Sequence, residues 1–276
     1  MKMTEGQLRR LNELGVSSDH LTDYTSTKTR DEAFKRLENS QLKFNRKMLK
    51  SFRTSSKQPP LIRLQESLGS CLREKGFIQV TTPTIISKNS LEKMSINKDH
   101  KLSEQVFWLE ENKCLRPMLA PNLYEISRSL LNIYEKTLGI FEIGSCFRKE
   151  SQGNIHLNEF TMLNFVEWGT PLENRTERIK EIAGWILEQA DIEDYSFKIE
   201  ESVVYGSTVD IIYKDTEIAS SSMGPHYLDD AWGIDDSWVG IGFGLERLLM
   251  LRDEYSSIHP ASRSVSYLDG IRINIK

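Results

Sequence analysis

Near its C-terminal end the chain carries the stretch Gly240-Ile241-Gly242-Phe243-Gly244-Leu245-Glu246-Arg247. Its spaced glycines predict a strand whose backbone can approach a flat group closely, followed by a helix with Arg247 in its first turn. A dinucleotide-binding fingerprint is excluded because it requires glycine where Leu245 stands, and a phosphate-binding loop because no Gly-Lys-Ser/Thr follows. Two interpretations stay open: adenine stacking beside a helix-borne arginine, or a glycine-rich strand packed tightly against a helix.

A second motif, Phe147-Arg148-Lys149-Glu150, ends a predicted strand. The planar guanidinium of Arg148 can grip a phosphate, and the carboxylate of Glu150 can accept from an adenine amino group. A charged strand end that leads into solvent would carry the same residues. The tetrapeptide alone therefore does not separate a nucleotide site from an ordinary strand end.

A third motif, Glu217–Ser222, follows a predicted tight turn at Lys214-Asp215. Glu217 and Ser220 can both coordinate magnesium, which prefers hard oxygen ligands and bound phosphates. Without the other motifs, the same residues would be an ordinary polar strand.

Asn164 is a polar residue on an apolar strand face, which it shares with Phe160, Met162 and Val166. A buried amide must be paired. The local pattern leaves two roles open for Asn164: a structural hydrogen bond, or recognition of an amide in a substrate.

The apolar pattern along the chain predicts an α+β fold. Predicted helices occupy the polar region before residue 58, Pro60–Gly76, Asn122–Gly139, Leu172–Ala190 and the segment from Leu245. Predicted strands are Phe77–Ser87, Val106–Leu109, Cys114–Met118, Ile140–Glu150, Glu159–Trp168 and several segments after Tyr195. Pro83 cannot donate to a ladder, so its segment belongs at a sheet edge or an interface. Hairpin connections outnumber crossing helices, which favours a mainly antiparallel sheet flanked by helices.

Charge divides the chain into a basic arm and an acidic body. Residues 1–57 contain 13 Lys and Arg against 7 Asp and Glu, a local charge of +6. The whole chain carries −4, so the remainder carries −10. We therefore expect a helical basic arm at 1–58 and a second domain at 59–276. The arm either contacts an anionic partner such as RNA or is a solvated helical segment.

Cysteine, histidine and hydropathy patterns argue against a disulfide-bonded, zinc-binding or membrane-spanning protein. Cys71, Cys114 and Cys146 are far apart and form no CxxC pair, which predicts buried reduced thiols. The five histidines lack metal-ligand spacing. No apolar run approaches the ~18 residues of a membrane span, and the basic N-terminus lacks a signal-peptide apolar stretch. The expectation is a cytoplasmic protein with no membrane association.

Together these pieces resemble the three motifs of class II aminoacyl-tRNA synthetases. The helix and strand around Pro83 are similar to motif one, Phe147–Glu150 to motif two, and Gly242–Arg247 to motif three. The resemblance implies a class II catalytic core in which Arg148 grips the α-phosphate and Arg247 the γ-phosphate of a bent ATP. It also implies a homodimer, because motif one builds the subunit interface in this class.

The resemblance implies further ligand contacts. The other ATP-binding residues that it implies are Glu150, His156, Leu157, Phe160, Met162, Glu217 and Ser220. Glu150 and the backbone near His156 and Leu157 would contact adenine, and Phe160 would stack on it. Glu217 and Ser220 would also hold Mg²⁺.

Several segments resemble the amino-acid pocket of pyrrolysyl-tRNA synthetases more narrowly: Leu115–Tyr124, Glu159–Asn164, Val204–Gly206 and the region of Trp238. This resemblance covers nearly all of the chain from about Leu61, and the arm more weakly. It implies that Asn164 donates to the side-chain carbonyl of a lysine-like substrate and that Tyr205 caps the substrate ring from a mobile loop. The other pocket residues that it implies are Ala120, Leu123, Tyr124, Val166, Ser222, Trp238, Gly240 and Gly242. Ser127 and Val166 depart from family forms with a bulkier residue and a cysteine there.

The implied activity is ATP-dependent activation of pyrrolysine and its transfer to tRNA(Pyl). One alternative is a class II synthetase for another amino acid, phenylalanine being the nearest. Asn164, and the space that the small side chain of Ala120 leaves in the pocket, argue against it. The other is a non-catalytic paralogue that binds tRNA, a class that typically lacks the arginines present here as Arg148 and Arg247. Family members with a fused N-terminal tRNA-binding domain are much longer, so that domain is expected as a separate protein or absent. Pro171–Glu173 and Ser266–Gly270 favour the bacterial, separate-protein form.

Overall fold

The computed structural model describes residues 2–16, 23–55, 58–134, 137–149, 153, 155–202 and 206–273. The helices are α1 (Glu5–Leu14), α2 (Thr27–Ser51), α3 (Pro60–Glu74), α4 (Lys88–Glu92), α5 (Lys101–Gln105), α6 (Ala120–Leu131), α7 (Arg175–Gln189) and α8 (Leu245–Arg252). The strands are β1 (Ile78–Gln79), β2 (Ile85–Ser87), β3 (Trp108–Glu110), β4 (Lys113–Leu115), β5 (Leu138–Phe147), β6 (Glu159–Trp168), β7 (Ser196–Ser202), β8 (Gly206–Tyr213), β9 (Thr216–Gly224), β10 (Trp238–Gly244), β11 (Tyr267–Leu268) and β12 (Ile271–Arg272). Short 3-10 turns cover Leu172–Asn174, Asp229–Trp232 and His259–Ala261.

A seven-stranded sheet in the order β1-β5-β6-β10-β9-β8-β7 forms the centre of the molecule. β1 pairs with β5 in parallel, and the other neighbours are antiparallel. The prediction of an α+β protein with a mainly antiparallel sheet is therefore confirmed. Pro83 lies between β1, at one edge of this sheet, and β2, at the edge of a three-stranded sheet with β4 and β3, as expected for a residue without an N–H.

Alternation along β6 divides the core into two layers. Leu163 and Phe165 point into a cluster with the apolar faces of α3, α7 and α8. Val166 and Trp168 belong to a second cluster on the opposite face, with α6 and the region around β2 and β4. Thus α3, α7 and α8 cover one face of the sheet, and the other face is left for the site.

Helix α3 shows why the sequence folds this way locally. Pro60 begins the helix, where its missing N–H costs nothing, and Gly76 follows the helix with φ 91°. Its apolar face is buried as the periodicity predicted, through Leu61, Leu64, Leu68 and Leu72. The helix thereby packs against α7 and α8 beneath the sheet.

The predicted C-terminal end of the helix that starts near Asn122 is wrong. The sequence suggested a helix from about Asn122 that stops at Gly139, but α6 covers Ala120–Leu131 and Gly139 lies in β5. A Cβ atom on Gly139 would lie 2.8 Å from the Phe77 ring. The glycine therefore permits close packing of Phe77 on β5 and does not end a helix.

The predicted basic arm corresponds to α1 and α2. Thr4 caps α1 in a capping box, and Gly15 ends it in the left-handed conformation. Within α2 only Asn45 is buried, and its Nδ2 donates to the Leu14 carbonyl at 3.0 Å. The arm contacts the rest of the chain through Glu13, whose carbonyl accepts from Tyr267 at 3.3 Å. The division of the chain at residue 58 stays a prediction.

Within the described parts of the chain, no helix has the length and apolarity needed to cross a bilayer.

Candidate active site

A cavity of about 490 Å³ lies over strands β6, β9 and β10, a size typical of ligand pockets. The predicted nucleotide residues that line it are Arg148, His156, Leu157, Phe160, Met162, Glu217, Ser220 and Arg247. The predicted amino-acid pocket residues that line it are Ala120, Leu123, Tyr124, Asn164, Val166, Ser222, Trp238, Gly240 and Gly242. Glu150 and Tyr205 lie outside the described residues. The structure thus brings all the other predicted site residues together.

The sheet register arranges these residues in rows across the strands. One row aligns Val166, Gly240 and Ser222, and the next aligns Asn164 with Gly242 and Ser220. Rows two residues apart are about 7 Å apart along a strand. The lining therefore changes in order along the strands, from aromatic at Trp168 to polar towards the motif around Arg247.

The apolar end of the cavity has an aromatic wall. The Tyr124 and Trp238 rings meet edge to face with centroids 6.0 Å apart, and Trp168 lies 5.7 Å from Trp238. Trp168, which the sequence interpretation did not include, donates through Nε1 to the hydroxyl of Ser127 at 2.7 Å. Ser127, one of the departures from the family pattern, is fully buried. Its hydroxyl accepts the hydrogen bond of the Trp168 indole N–H, which would otherwise be buried without a partner.

Asn164 lies between the apolar and polar ends of the cavity. Its Oδ1 is buried and has no hydrogen-bond partner within the described part of the chain. A Cβ atom on Gly242, the neighbour across the sheet, would lie only 3.1 Å from this oxygen. A buried amide oxygen without a protein partner points to a ligand or water that supplies a donor. Gly242 keeps the approach to it open.

The two arginines are fixed by contacts to backbone carbonyls. Arg148 donates through Nε to the Pro117 carbonyl at 2.9 Å, and its guanidinium lies 5.4 Å from the centre of the Phe160 ring. Arg247, in the first turn of α8, donates through Nη1 to the Glu217 carbonyl at 2.9 Å. Both side chains reach the same cavity, so it holds two positive charges suited to a polyphosphate.

A β-bulge explains how Glu217 and Ser220 can both line the cavity. Residues three apart on a regular strand point to opposite faces. The β8–β9 register pairs Ile212 with Glu217 but Ile211 with Ala219, so one extra residue, Ile218, lies on β9. A bulge of this kind re-aims side chains near sites, and here Glu217 and Ser220 both reach the cavity.

The same bulge places Asp210, which the sequence interpretation missed, opposite Ser220. Ser220 donates to Asp210 Oδ1 at 2.6 Å, and Thr208 donates to the same oxygen at 3.1 Å. Counting outward from the Lys214-Asp215 turn without a bulge would have paired Asp210 with Ala219. No sequence signal marks the shift. Across the described residues, no group of three or more His, Cys, Asp or Glu side chains is arranged to hold a metal ion.

Glu246 locks the start of β6 to the helix that bears Arg247. Its two carboxylate oxygens accept from the Thr161 backbone N–H at 2.9 and 2.8 Å, and one accepts from the Thr161 hydroxyl at 2.8 Å. Burial raises the pKa of Glu246, while the bonds from Thr161 and the charge of Arg263 act in the opposite direction. The carboxylate thereby fixes α8 against the sheet beside the polar end of the cavity.

Comparison with known proteins agrees with this architecture. The family model described as "Phenylalanyl tRNA synthetase beta chain CLM domain" matches residues 46–224, more than half of the chain. The crystal structure of pyrrolysyl-tRNA synthetase from Desulfitobacterium hafniense is 51% identical, with a TM-score of 0.94, over 99% of this chain and 98% of that one. A second pyrrolysyl-tRNA synthetase structure from the same organism is 49% identical, with a TM-score of 0.91, over 99% and 95% of the two chains.

Sequence identity of about one half over almost the full length shows to which synthetase family within this class the chain is related. The phenylalanyl-type match shows a related synthetase-type domain, and the two nearly full-length matches show the narrower relationship. The chain belongs to the pyrrolysyl-tRNA synthetase family of class II aminoacyl-tRNA synthetases.

Proposed function

We propose that this protein activates pyrrolysine with ATP and transfers it to the 3′ end of tRNA(Pyl). The observation that carries the proposal is one cavity that contains both an aromatic chamber with the unpartnered Asn164 oxygen and two arginines. The near-full-length relationship to pyrrolysyl-tRNA synthetases supports the same activity.

The nucleotide belongs at the polar end of the cavity. Arg148 would hold the α-phosphate, and Arg247, fixed at the start of α8, the γ-phosphate. Phe160, which contacts the Arg148 guanidinium, would stack on adenine. Met162 and the backbone of His156 and Leu157 would complete this part of the site, and Glu150 would accept from the adenine amino group. The substrate carboxylate then attacks the α-phosphorus and pyrophosphate leaves, a step that depends on positioning and charge neutralisation more than on a general base.

Glu217 and Ser220 fit a magnesium site. Both are oxygen donors that reach the cavity from one bulged strand, and Mg²⁺ usually takes only one or two protein ligands besides phosphates and waters. Bound Mg²⁺ would neutralise phosphate charge. Asp210 accepts from Ser220 and so fixes the direction of the Ser220 oxygen.

The amino acid belongs in the aromatic chamber. Its side-chain carbonyl would accept from the Asn164 NH₂ group, and its Nε–H would donate to the unpartnered Asn164 oxygen. Its apolar part would contact Ala120, Leu123, Tyr124, Val166 and Trp238. Tyr205 is proposed to cap the ring. A missing methylene costs only ~1–3 kcal/mol in a pocket of this kind, so the enzyme should also accept Nε-acylated lysines.

Transfer requires tRNA, for which the basic arm is the proposed contact. The 3′ ribose hydroxyl attacks the carbonyl of the mixed anhydride and releases AMP. We further propose a homodimer built around α3 and β1, a cytoplasmic location, and a separate N-terminal tRNA-binding protein as a partner.

Phenylalanine is the second candidate substrate, favoured by the phenylalanyl-type family match. A phenylalanine side chain has no polar atom to pair with Asn164, which would leave a buried amide unsatisfied at a cost of about 1–3 kcal/mol. Asn164 therefore favours the lysine derivative.

The test is magnesium-dependent ATP–pyrophosphate exchange with pyrrolysine or an Nε-acyl-lysine, compared with phenylalanine and lysine. We expect exchange with the lysine derivatives alone. Exchange with phenylalanine alone would overturn the substrate assignment and keep the class of reaction. A folded protein that binds ATP but exchanges with none of them would fit the non-catalytic paralogue.

A further inference from the structure

We infer that Asp229 is a positioning residue that sets the width of the amino-acid chamber. Asp229 lies in the 3-10 turn Asp229–Trp232, and only 2% of its surface is exposed. The inference rests on the proposed function, because it concerns the size of the amino acid that this chamber accepts.

The Asp229 carboxylate joins two walls that come from distant parts of the chain. Tyr124, on α6, donates its hydroxyl to Oδ1 at 2.8 Å. Trp238, at the start of β10, donates Nε1 to Oδ2 at 2.9 Å. Both donors line the cavity, and their rings meet edge to face. One buried carboxylate therefore fixes the position of one ring relative to the other.

The turn that carries Asp229 is itself held in place. The His226 backbone N–H donates to Oδ2 at 2.6 Å, so this oxygen accepts two hydrogen bonds. Trp232, at the end of the same turn, stacks on Tyr124 with centroids 5.4 Å apart and planes 17° apart. Tyr124 is thus held from behind by a ring and at its hydroxyl by a carboxylate. It cannot swing away from the chamber without breaking both contacts.

This arrangement has a consequence for substrate size. Apolar contacts discriminate weakly between acyl groups, so selectivity depends on how firmly the walls stay in place. With Asp229 present, an acyl group too large for the chamber must break hydrogen bonds between buried groups, which is costly. Without Asp229, the Tyr124 and Trp238 rings can move apart. The kcat/KM for larger acyl groups then rises relative to that for small ones.

The experiment measures ATP–pyrophosphate exchange of the full chain with Nε-acetyl-lysine and with Nε-benzyloxycarbonyl-lysine. The readouts are the ratio of the two kcat/KM values and the KM for ATP. Asp229→Ala should shift the ratio towards the larger substrate by about tenfold, the scale of one or two lost hydrogen bonds, while the KM for ATP stays unchanged. Asp230→Ala, which removes an exposed carboxylate from the same turn, is the matched control and should leave the ratio unchanged.

Asp229→Asn separates positioning from charge. The asparagine oxygen can accept from Trp238 and from the His226 N–H, and its amide can donate to the Tyr124 hydroxyl oxygen, so all three contacts can persist. We expect this variant to keep the wild-type ratio within about twofold. A shift as large as that of Asp229→Ala would overturn the inference, since charge would then matter and not position.

Tyr124→Phe keeps the test decisive if Asp229→Ala does not fold. It removes one hydrogen bond to Asp229 and leaves the ring, so the ratio should shift in the same direction by about threefold. An unchanged ratio in this variant overturns the inference. Wild-type protein that exchanges with neither acyl-lysine nor pyrrolysine would instead refute the proposed function.

Discussion

At the scale of single residues, Asn164 is the polar group whose surroundings say most about the substrate. Replacement by alanine removes the amide from an apolar chamber and leaves the substrate carbonyl unpaired, at about 1–3 kcal/mol. We expect Asn164→Ala to lower kcat/KM for Nε-acyl-lysines by roughly 10- to 100-fold in pyrophosphate exchange, with the KM for ATP unchanged.

Asn132→Ala is the control for that substitution, because Asn132 is an exposed amide that bonds to the Arg128 carbonyl. It should leave exchange unaffected. Equal kcat/KM values for Asn164→Ala and wild type would show that Asn164 is only a structural residue.

The cysteines give a second prediction for single residues. Burial raises the pKa of Cys114 to about 11 and of Cys146 to about 12, so neither thiol is ionised near neutral pH. In iodoacetamide labelling followed by mass spectrometry at pH 8, we expect both to stay unmodified until the protein unfolds. The half-buried Cys71 should label first. Rapid labelling of Cys146 in native protein would contradict this.

At the scale of secondary-structure elements, the sequence predicted a boundary correctly where that boundary depends on residues close in the chain, and not where it depends on distant ones. The bounds of β6, Glu159–Trp168, were predicted correctly from the local run of apolar residues, which the structure buries on both faces. The end of α6 was misplaced because Gly139 allows close packing of Phe77, which is distant in sequence, and does not end a helix. The β9 bulge could not be predicted from the sequence for a similar reason, since a bulge is defined by the pairing of β9 with β8. The resemblance named both Glu217 and Ser220, but alternation alone would place them on opposite faces.

The bulge leads to a prediction about coupling. Glu217 and Ser220 are proposed to hold one ion, so their effects should not add. Glu217→Gln and Ser220→Ala should each raise the Mg²⁺ concentration for half-maximal exchange by about tenfold, and the double variant by clearly less than the product of the two. Mn²⁺ binding in the presence of ATP, followed by electron paramagnetic resonance, should weaken in parallel.

Thr216→Ala is the control on the same strand, because its hydroxyl bonds to the Lys214 carbonyl in the turn. It should leave the Mg²⁺ dependence unchanged. Fully additive effects of the two site substitutions would argue that Glu217 and Ser220 do not share an ion.

At the scale of the whole molecule, charge separates the proposed sites for the two reaction steps. The region before residue 58 carries +6 and the rest −10, so an RNA backbone is attracted to the arm and repelled by much of the body. Lys43, Lys47 and Lys50 are exposed, and their spacing puts them on one face of α2. That face is the proposed contact for tRNA.

Replacing these three lysines with alanine should therefore affect only the transfer step. We expect unchanged ATP–pyrophosphate exchange, a raised KM for tRNA in aminoacylation, and a shallower fall of tRNA affinity with salt, by roughly 0.7–0.9 in log–log slope for each lost phosphate contact. Alanine at Lys98, Lys101 and Lys113, three exposed lysines of the body, removes the same charge elsewhere. If both triple variants weakened tRNA binding equally, net charge and not the arm would explain the effect. If the arm variant also lost pyrophosphate exchange, the arm would act on the catalytic site, since tRNA is absent from that assay.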